Sequence, residues 1–224
     1  MKFSISKSRD AVAEIIGSTY ISKSGLYPVT LDFVSIATSR NGSQSLNFNI
    51  THDGNTQTIY GQTIVNNDGK PNDIGIRFLN KLGIVLGMDE GDELDIEEEE
   101  HAVGKDNKVQ TFAVIQQFSG KDIILHLQEE YSEYKGEIRK AMNIRNVFRT
   151  DKATAEEIVN GTDIGKRYAE TEAKYATTVS YKDGLTPERV EAWKASRSQS
   201  GDKSAAKPTT SKAPTGGLFG KKWF

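Results

Sequence analysis

Leu26-Tyr27-Pro28-Val29-Thr30-Leu31-Asp32-Phe33-Val34-Ser35-Ile36, then Arg40-Asn41-Gly42-Ser43, then Leu46-Asn47-Phe48-Asn49-Ile50: in these residues the fold is most legible. Successive side chains of a strand point to opposite faces, so Val29, Leu31 and Phe33 are expected on one face. Asn-Gly between two such runs is the strongest short hairpin signal. In the next run Leu46, Phe48 and Ile50 alternate with Ser45, Asn47 and Asn49, a half-buried strand. His52-Asp53-Gly54-Asn55 turns the chain again, and Thr56 to Val65 reads as a third strand with Gly61 as a bulge.

Outward from this meander the period changes. Ile74, Phe78, Leu82 and Val85 or Leu86 fit a 3.6-residue repeat, so a helix is expected, capped by Asp73 and ending near Gly87. Residues 89–100 are strongly acidic; their spacing does not fit a calcium loop, and a solvated loop with part of a strand at Leu94 to Ile96 is expected. Strands resume at Lys108 to Phe118, Ile123 to Tyr134 and Ile138 to Phe148. Upstream, Arg9 to Ile16 suits one short helix.

Three strands, a helix and three strands suit a mainly β fold: a small Greek-key barrel of the oligonucleotide-binding (OB) type with one inserted helix. A β-sandwich is the alternative. Residues 1–150 are expected to form this OB-like domain. Residues 151–195 read as an extension of short helices: a capping box at Thr154 to Glu157 stopped by Asn160-Gly161, a second helix at Ile164 to Tyr175, and a third from Thr186-Pro187 through Trp193. Residues 196–224 are low in complexity and basic, and read as a disordered, flexible tail with an aromatic tip. Arg197, Lys203, Lys207, Lys212, Lys221 and Lys222 stand there against Asp202 alone.

Composition narrows the chemistry. The 224 residues carry a formal net charge of −2, so charge must be judged locally. The absence of cysteine removes disulfides, thiol nucleophiles and cysteine-based zinc sites. No secretory signal and no membrane-spanning run is apparent. His52, His101 and His126 have no metal-ligand spacing and read as surface or turn residues. No phosphate loop or dinucleotide fingerprint occurs. Neither an enzyme nor a cofactor or metal site is expected.

The residues from Lys135 to Arg149 mix Lys135, Arg139, Lys140, Arg145 and Arg149 with apolar groups, and Tyr131 and Tyr134 lie just upstream. Cations that follow phosphates and rings that stack on bases are what sequence-tolerant single-strand binding requires. The expected nucleic-acid contacts are Lys23, Tyr27, Arg40, Tyr60, Lys105, Lys108, Lys121, Tyr131, Tyr134, Lys135, Arg139, Lys140 and Arg145. Arg139 and Arg145 share strand parity and are expected on one face. Leu218, Phe219, Trp223 and Phe224 are expected to enter a partner's pocket.

Ser24-Gly25-Leu26-Tyr27-Pro28-Val29-Thr30-Leu31, followed by Ser39-Arg40-Asn41-Gly42-Ser43-Gln44-Ser45-Leu46-Asn47-Phe48 and closed by Asn143-Ile144-Arg145-Asn146-Val147-Phe148, resembles the bacteriophage single-stranded DNA-binding proteins over about residues 20–150. The resemblance implies an OB-fold that coats single strands in phage replication, recombination and repair in the cytoplasm of the infected cell. It also implies a C-terminal tail that recruits polymerase, helicase or nuclease. Family tails are typically acidic with a terminal aromatic residue; this chain keeps Phe224 but its tail is basic. The alternatives are a structural or virion-assembly β-domain, and a regulator that binds through residues 89–100.

Overall fold

The computed structural model describes residues 20–104 and 108–199. Strand β1 (Gly25–Thr38) is the spine. One edge pairs with β2 (Gln44–His52) from Thr30↔Thr51 to Thr38↔Gln44. The other edge is shared: its first half pairs with β6 (Lys121–Tyr134), and Ser35 and Ile36 pair with β5 (Lys108–Ile115). All these ladders are antiparallel. β3 (Asn55–Val65) follows β2 across a tight turn in which Asp53 and Gly54 take φ of 47° and 76°. β7 (Glu137–Phe148) returns along β6.

Five strands therefore run in the order β3-β2-β1-β6-β7, the neighbour order of an OB sheet. Among the described residues β3 and β7 share no hydrogen-bonded ladder, so the sheet stays open there. Helix α1 (Asp73–Val85) covers that gap, packing on both β3 and β7. It lies so close that a Cβ on Gly75 would sit 1.9 Å from the Thr63 carbonyl oxygen. Asn72, not Asp73, caps it: the Asn72 side chain accepts from Gly75 N–H at 2.9 Å.

The acidic run is a loop only as far as residue 95, as expected; from Ile96 it is strand. Ile96–Val103 forms β4, which pairs along its length with β5 in a hairpin between α1 and β6. Alternation of Glu99, His101 and Val103 with exposed residues half-buries one face against β1 and β5, which is enough to make a strand. β5 ends in a short 3₁₀ turn, Gln116–Phe118.

The core is the barrel interior: Leu31, Val34, Leu46, Phe48, Ile50, Leu82, Ile115, Leu125 and Leu127 are each sealed from solvent. Bulges in the β1–β2, β2–β3 and β6–β7 ladders set which side chains reach it, and two of them bear on the outer face of the sheet. One lies at Gly61-Gln62, where pairing steps from Asn47↔Tyr60 to Ser45↔Thr63, as the glycine suggested. The other is at Asp32, between Leu31↔Ile50 and Phe33↔Asn49. It resets the parity of β1, so Val29, Leu31 and Val34 face the core and Phe33 faces the opposite side. The expected grouping of Phe33 with Leu31 is thereby corrected.

Beyond β7, α2 (Ala155–Asn160), α3 (Lys166–Lys174) and the two-residue β8 (Ser180–Tyr181) belong with the barrel in one compact unit that runs to Leu185. β8 pairs with β6 in parallel, Ser24 Oγ donates to the Thr178 carbonyl at 2.6 Å, and Phe148 meets Tyr168 edge-on. From Thr186 a second unit begins, whose described part is α4 (Pro187–Gln199). The helix expected at Arg9 to Ile16 and the tail beyond residue 199 lie outside the described residues.

Candidate nucleic-acid interface

The parity change at Asp32 builds a surface that alternation alone does not suggest. On the outer side of β1, the Phe33 ring stacks on His101 of β4, centroids 4.0 Å apart and planes 16° from parallel. Phe112 of β5 tilts against Phe33 at 5.1 Å. The β4–β5 hairpin thus stands as a wall beside the outer face of β1, β2 and β3. Between them lies an open groove of about 540 Å³, with Tyr60, Asn49 and Thr58 on its floor and Phe33 and His101 at its side. Tyr60 is 73% exposed, a flat ring held on a rigid strand.

Hydrogen bonds fix the groove's polar groups. Asn49 Oδ1 accepts from Thr58 Oγ1 at 2.7 Å. Asn49 Nδ2 and Ser35 Oγ, both buried on this side of the sheet, have no partner. Asp32 accepts from Thr51 Oγ1 at 2.9 Å, and burial holds its carboxyl above the ordinary value, outweighing that hydrogen bond and the nearby His101. Glu99 accepts from Gln116 Nε2 at 2.6 Å and meets His101 Nε2 at 2.6 Å. Those hydrogen bonds, Gln116 first, hold its carboxyl below the ordinary value.

A second cluster sits on the β6–β7 hairpin. Lys135 and Gly136 take φ of 53° and 81° in a two-residue turn. Beside it Tyr134 is half exposed, with the Arg139 guanidinium 4.5 Å and the Lys135 ammonium 5.2 Å from its ring centroid. Stacking against a ring holds a guanidinium without neutralising it, so Arg139 keeps its positive charge there.

The other expected contacts fall in three groups. Lys23, Arg40, Lys108 and Lys121 are exposed, Arg40 on the β1–β2 turn and Lys108 on the β4–β5 hairpin. Lys105, Leu218, Phe219, Trp223 and Phe224 lie outside the described residues. The third group is already engaged. Tyr131 is 1% exposed and donates to Glu129 at 2.9 Å, with its ring parallel to Tyr181. Its assignment as a stacking ring is corrected: its odd position on β6 points it inward with Leu125 and Leu127. Arg145 does share the outward face of β7 with Arg139, but it donates to Gln128 Oε1 at 2.6 Å and to Glu130 Oε2 at 3.0 Å. Lys140 pairs with Glu129 at 3.1 Å and donates to the Ser22 carbonyl. Both are cross-strand pairs, which the neighbouring carboxylates of β6 make inevitable. Tyr27 is half-buried; it donates to the Lys23 carbonyl and meets His52 edge-on, and burial pushes its hydroxyl above the ordinary value.

No known family model matches the chain, and no curated protein does. Among solved structures, a chain of yeast RPA bound to single-stranded DNA is similar with a TM-score of 0.27 and 11% identity, covering 78% of this chain and 99% of that one. A likeness so slight carries no argument; the OB-like architecture follows from the strand pairings themselves. Among the described residues no group of three or more His, Asp or Glu is placed to hold a metal ion, and no helix is long and apolar enough to cross a membrane.

Residues missed by sequence reasoning are Phe33, His101, Phe112 and Asn49. The available signal was Asp32, the one charged residue inside the β1 strand, at the position where the bulge falls.

Proposed function

We propose that this protein binds single-stranded DNA without sequence preference and serves phage DNA replication, recombination and repair in the cytoplasm of the infected cell. In this reading it is not an enzyme, and Leu218, Phe219, Trp223 and Phe224 recruit replication proteins such as polymerase or helicase. One observation supports the reading most: an open groove on the outer face of β1–β3, floored by exposed Tyr60 and walled by the Phe33–His101 stack. Strands 2 and 3 of OB-type sheets are where oligonucleotides bind, with the loops after the first and fourth barrel strands at either side. Here those loops carry Arg40 and the Tyr134–Arg139 cluster.

The charge pattern sets how tightly a strand is held. Arg145, Lys140 and Arg149 are committed to carboxylates, and β4 adds Glu97 to Glu100 beside the groove. Three or four phosphate contacts from the exposed cations give a log–log salt slope of about −2 to −3, at roughly −0.7 per contact. Anisotropy of a labelled oligo-dT with the full chain, at two salt concentrations, tests this. Binding that weakens with that slope supports the reading; no binding at low salt removes it.

A further inference from the structure

Helix α1 ends in a Schellman turn, and that turn helps to build a second groove. Gly87 takes φ of 86°; its N–H donates to the Ile84 carbonyl at 3.1 Å, and the Met88 N–H donates to the Gly83 carbonyl at 3.0 Å. The chain is thereby folded back, and a Cβ on Gly83 would meet the Met88 sulfur at 3.5 Å. Asp92 Oδ2 accepts from the Asp89 N–H at 2.8 Å and steadies the residues that follow. Between this segment, α1 and α2 lies an open groove of about 740 Å³, with Phe118 at its base. Leu79, Ile84, Met88, Leu94, Ile158 and Val159 give it an apolar lining, and Val159 is 70% exposed. Asp89, Glu90 and Asp92 form its rim, and the cation at its edge, Arg149, is taken up by Asp151 at 2.6 Å.

The charges decide the occupant. Single-strand binding makes no use of these carboxylates: phosphates would meet like charge here, and so would anionic lipid headgroups. A second copy presenting the same face would set one acidic rim against another. What fits is a row of bulky apolar side chains flanked by Lys or Arg. Along α1 the groove follows Leu79, Gly83, Ile84 and Gly87, about two turns or 12 Å of helix. We propose that this groove receives a basic amphipathic helix of a partner protein, apolar face inward, its Lys or Arg side chains meeting Asp89, Glu90 and Asp92. Helices dock in such grooves through side chains three and four residues apart. The Schellman turn holds the groove ready, so little ordering opposes binding, and the pliable Met88 thioether fits differing side chains. The ion pairs are exposed and screened by salt, so they select and orient the helix more than they hold it. None of this depends on what binds at Tyr60.

The test uses the full chain with ¹³C-labelled methyl groups and a synthetic peptide of Leu and Lys, about 14 residues or four helical turns long, with the leucines on one face. NMR shifts confined to the groove's Leu, Ile, Met and Val methyls are expected. The same peptide with Glu for every Lys is expected to shift none of them. Neutralising the rim, Asp89→Asn with Glu90→Gln and Asp92→Asn, is expected to weaken the Leu–Lys peptide about fivefold at low salt, the effect of three exposed pairs. Val159→Lys puts a cation at an exposed apolar position and is expected to weaken it as strongly, with the midpoint of urea unfolding close to the parent's. Shifts spread over other acidic faces, unchanged affinity in either variant, or no binding at low salt overturns the proposal. So do groove shifts produced by oligo-dT, or by raising the protein concentration alone, which would assign the groove to DNA or to a second copy. Absent oligo-dT binding beside intact peptide shifts would overturn the single-strand reading alone.

Discussion

Phe33 and His101 lie face to face, centroids 4.0 Å apart, because one extra residue at Asp32 turns Phe33 out of the barrel and β4 brings His101 over it. The pair joins the β4–β5 hairpin to the main sheet, so it is structural support for the groove as well as its side wall.

Tyr60 and Phe33 should therefore separate under mutation. Tyr60→Ala removes an exposed ring, and the midpoint of urea unfolding should hardly move. Its loss from oligo-dT affinity should be about 1–3 kcal/mol if one base stacks there. Phe33→Ala empties a site only 3% exposed and should cost about 3 kcal/mol of stability. A Tyr60→Ala protein with unchanged affinity places the DNA path elsewhere.

Arg139 and Arg145 share a strand face but not a task. Arg139→Ala should weaken oligo-dT binding and flatten the salt slope by roughly 0.7, one phosphate contact. Arg145→Ala should leave the slope alone and cost about 1 kcal/mol of stability, since Glu130 loses one partner yet keeps Lys182 at 3.1 Å. Titrations at several salt concentrations, beside urea curves, distinguish the two.

The contrast shows what a single sequence exposes. The β1–β2–β3 meander, the bulge at Gly61, the helix at Ile74 and the Thr154 capping box were legible because each is a local matter of period, turn chemistry or cap. The groove was not, because it depends on register. One inserted residue at Asp32 exchanges the faces of β1, and a strand of four consecutive glutamates reads as a loop until β5 is known to lie beside it. Likewise a run of cations beside a run of carboxylates reads as a basic patch. Only the β6–β7 pairing shows that Arg145 and Lys140 are neutralised while Arg139 is stacked on Tyr134 instead.

Gly75 tests how α1 covers the opening between β3 and β7. A methyl group there would meet the Thr63 carbonyl oxygen at 1.9 Å, and that atom is backbone, so helix and strand must part. Gly75→Ala raises helix propensity by about 1 kcal/mol. The clash should outweigh it, giving a net loss of about 2 kcal/mol. Thermal unfolding that shows a stabilised protein would mean that α1 is not seated on β3.

Glu157 ties α2 to α3. Its carboxylate accepts from the backbone N–H of Thr154 and of Arg167, each at 2.8 Å, while Thr154 Oγ1 accepts from Glu157 N–H to complete a capping box. Burial alone raises a carboxyl's pKa; here the hydrogen bonds from Arg167 and Thr154 outweigh it and hold Glu157 below the ordinary value. A depressed native pKa means that the unfolded state binds the proton more readily. The stabilisation is thus complete above the unfolded value of about 4.3 and is lost as pH falls through the lower native one. Glu157→Gln keeps the shape but swaps a charge-accepting oxygen for an amide, and should cost about 1 kcal/mol at pH 7. The gap between the variant and the parent should narrow as urea curves are taken from pH 7 down toward pH 3. A gap that stays constant over that range would mean that the carboxylate's charge does not hold the α2–α3 junction.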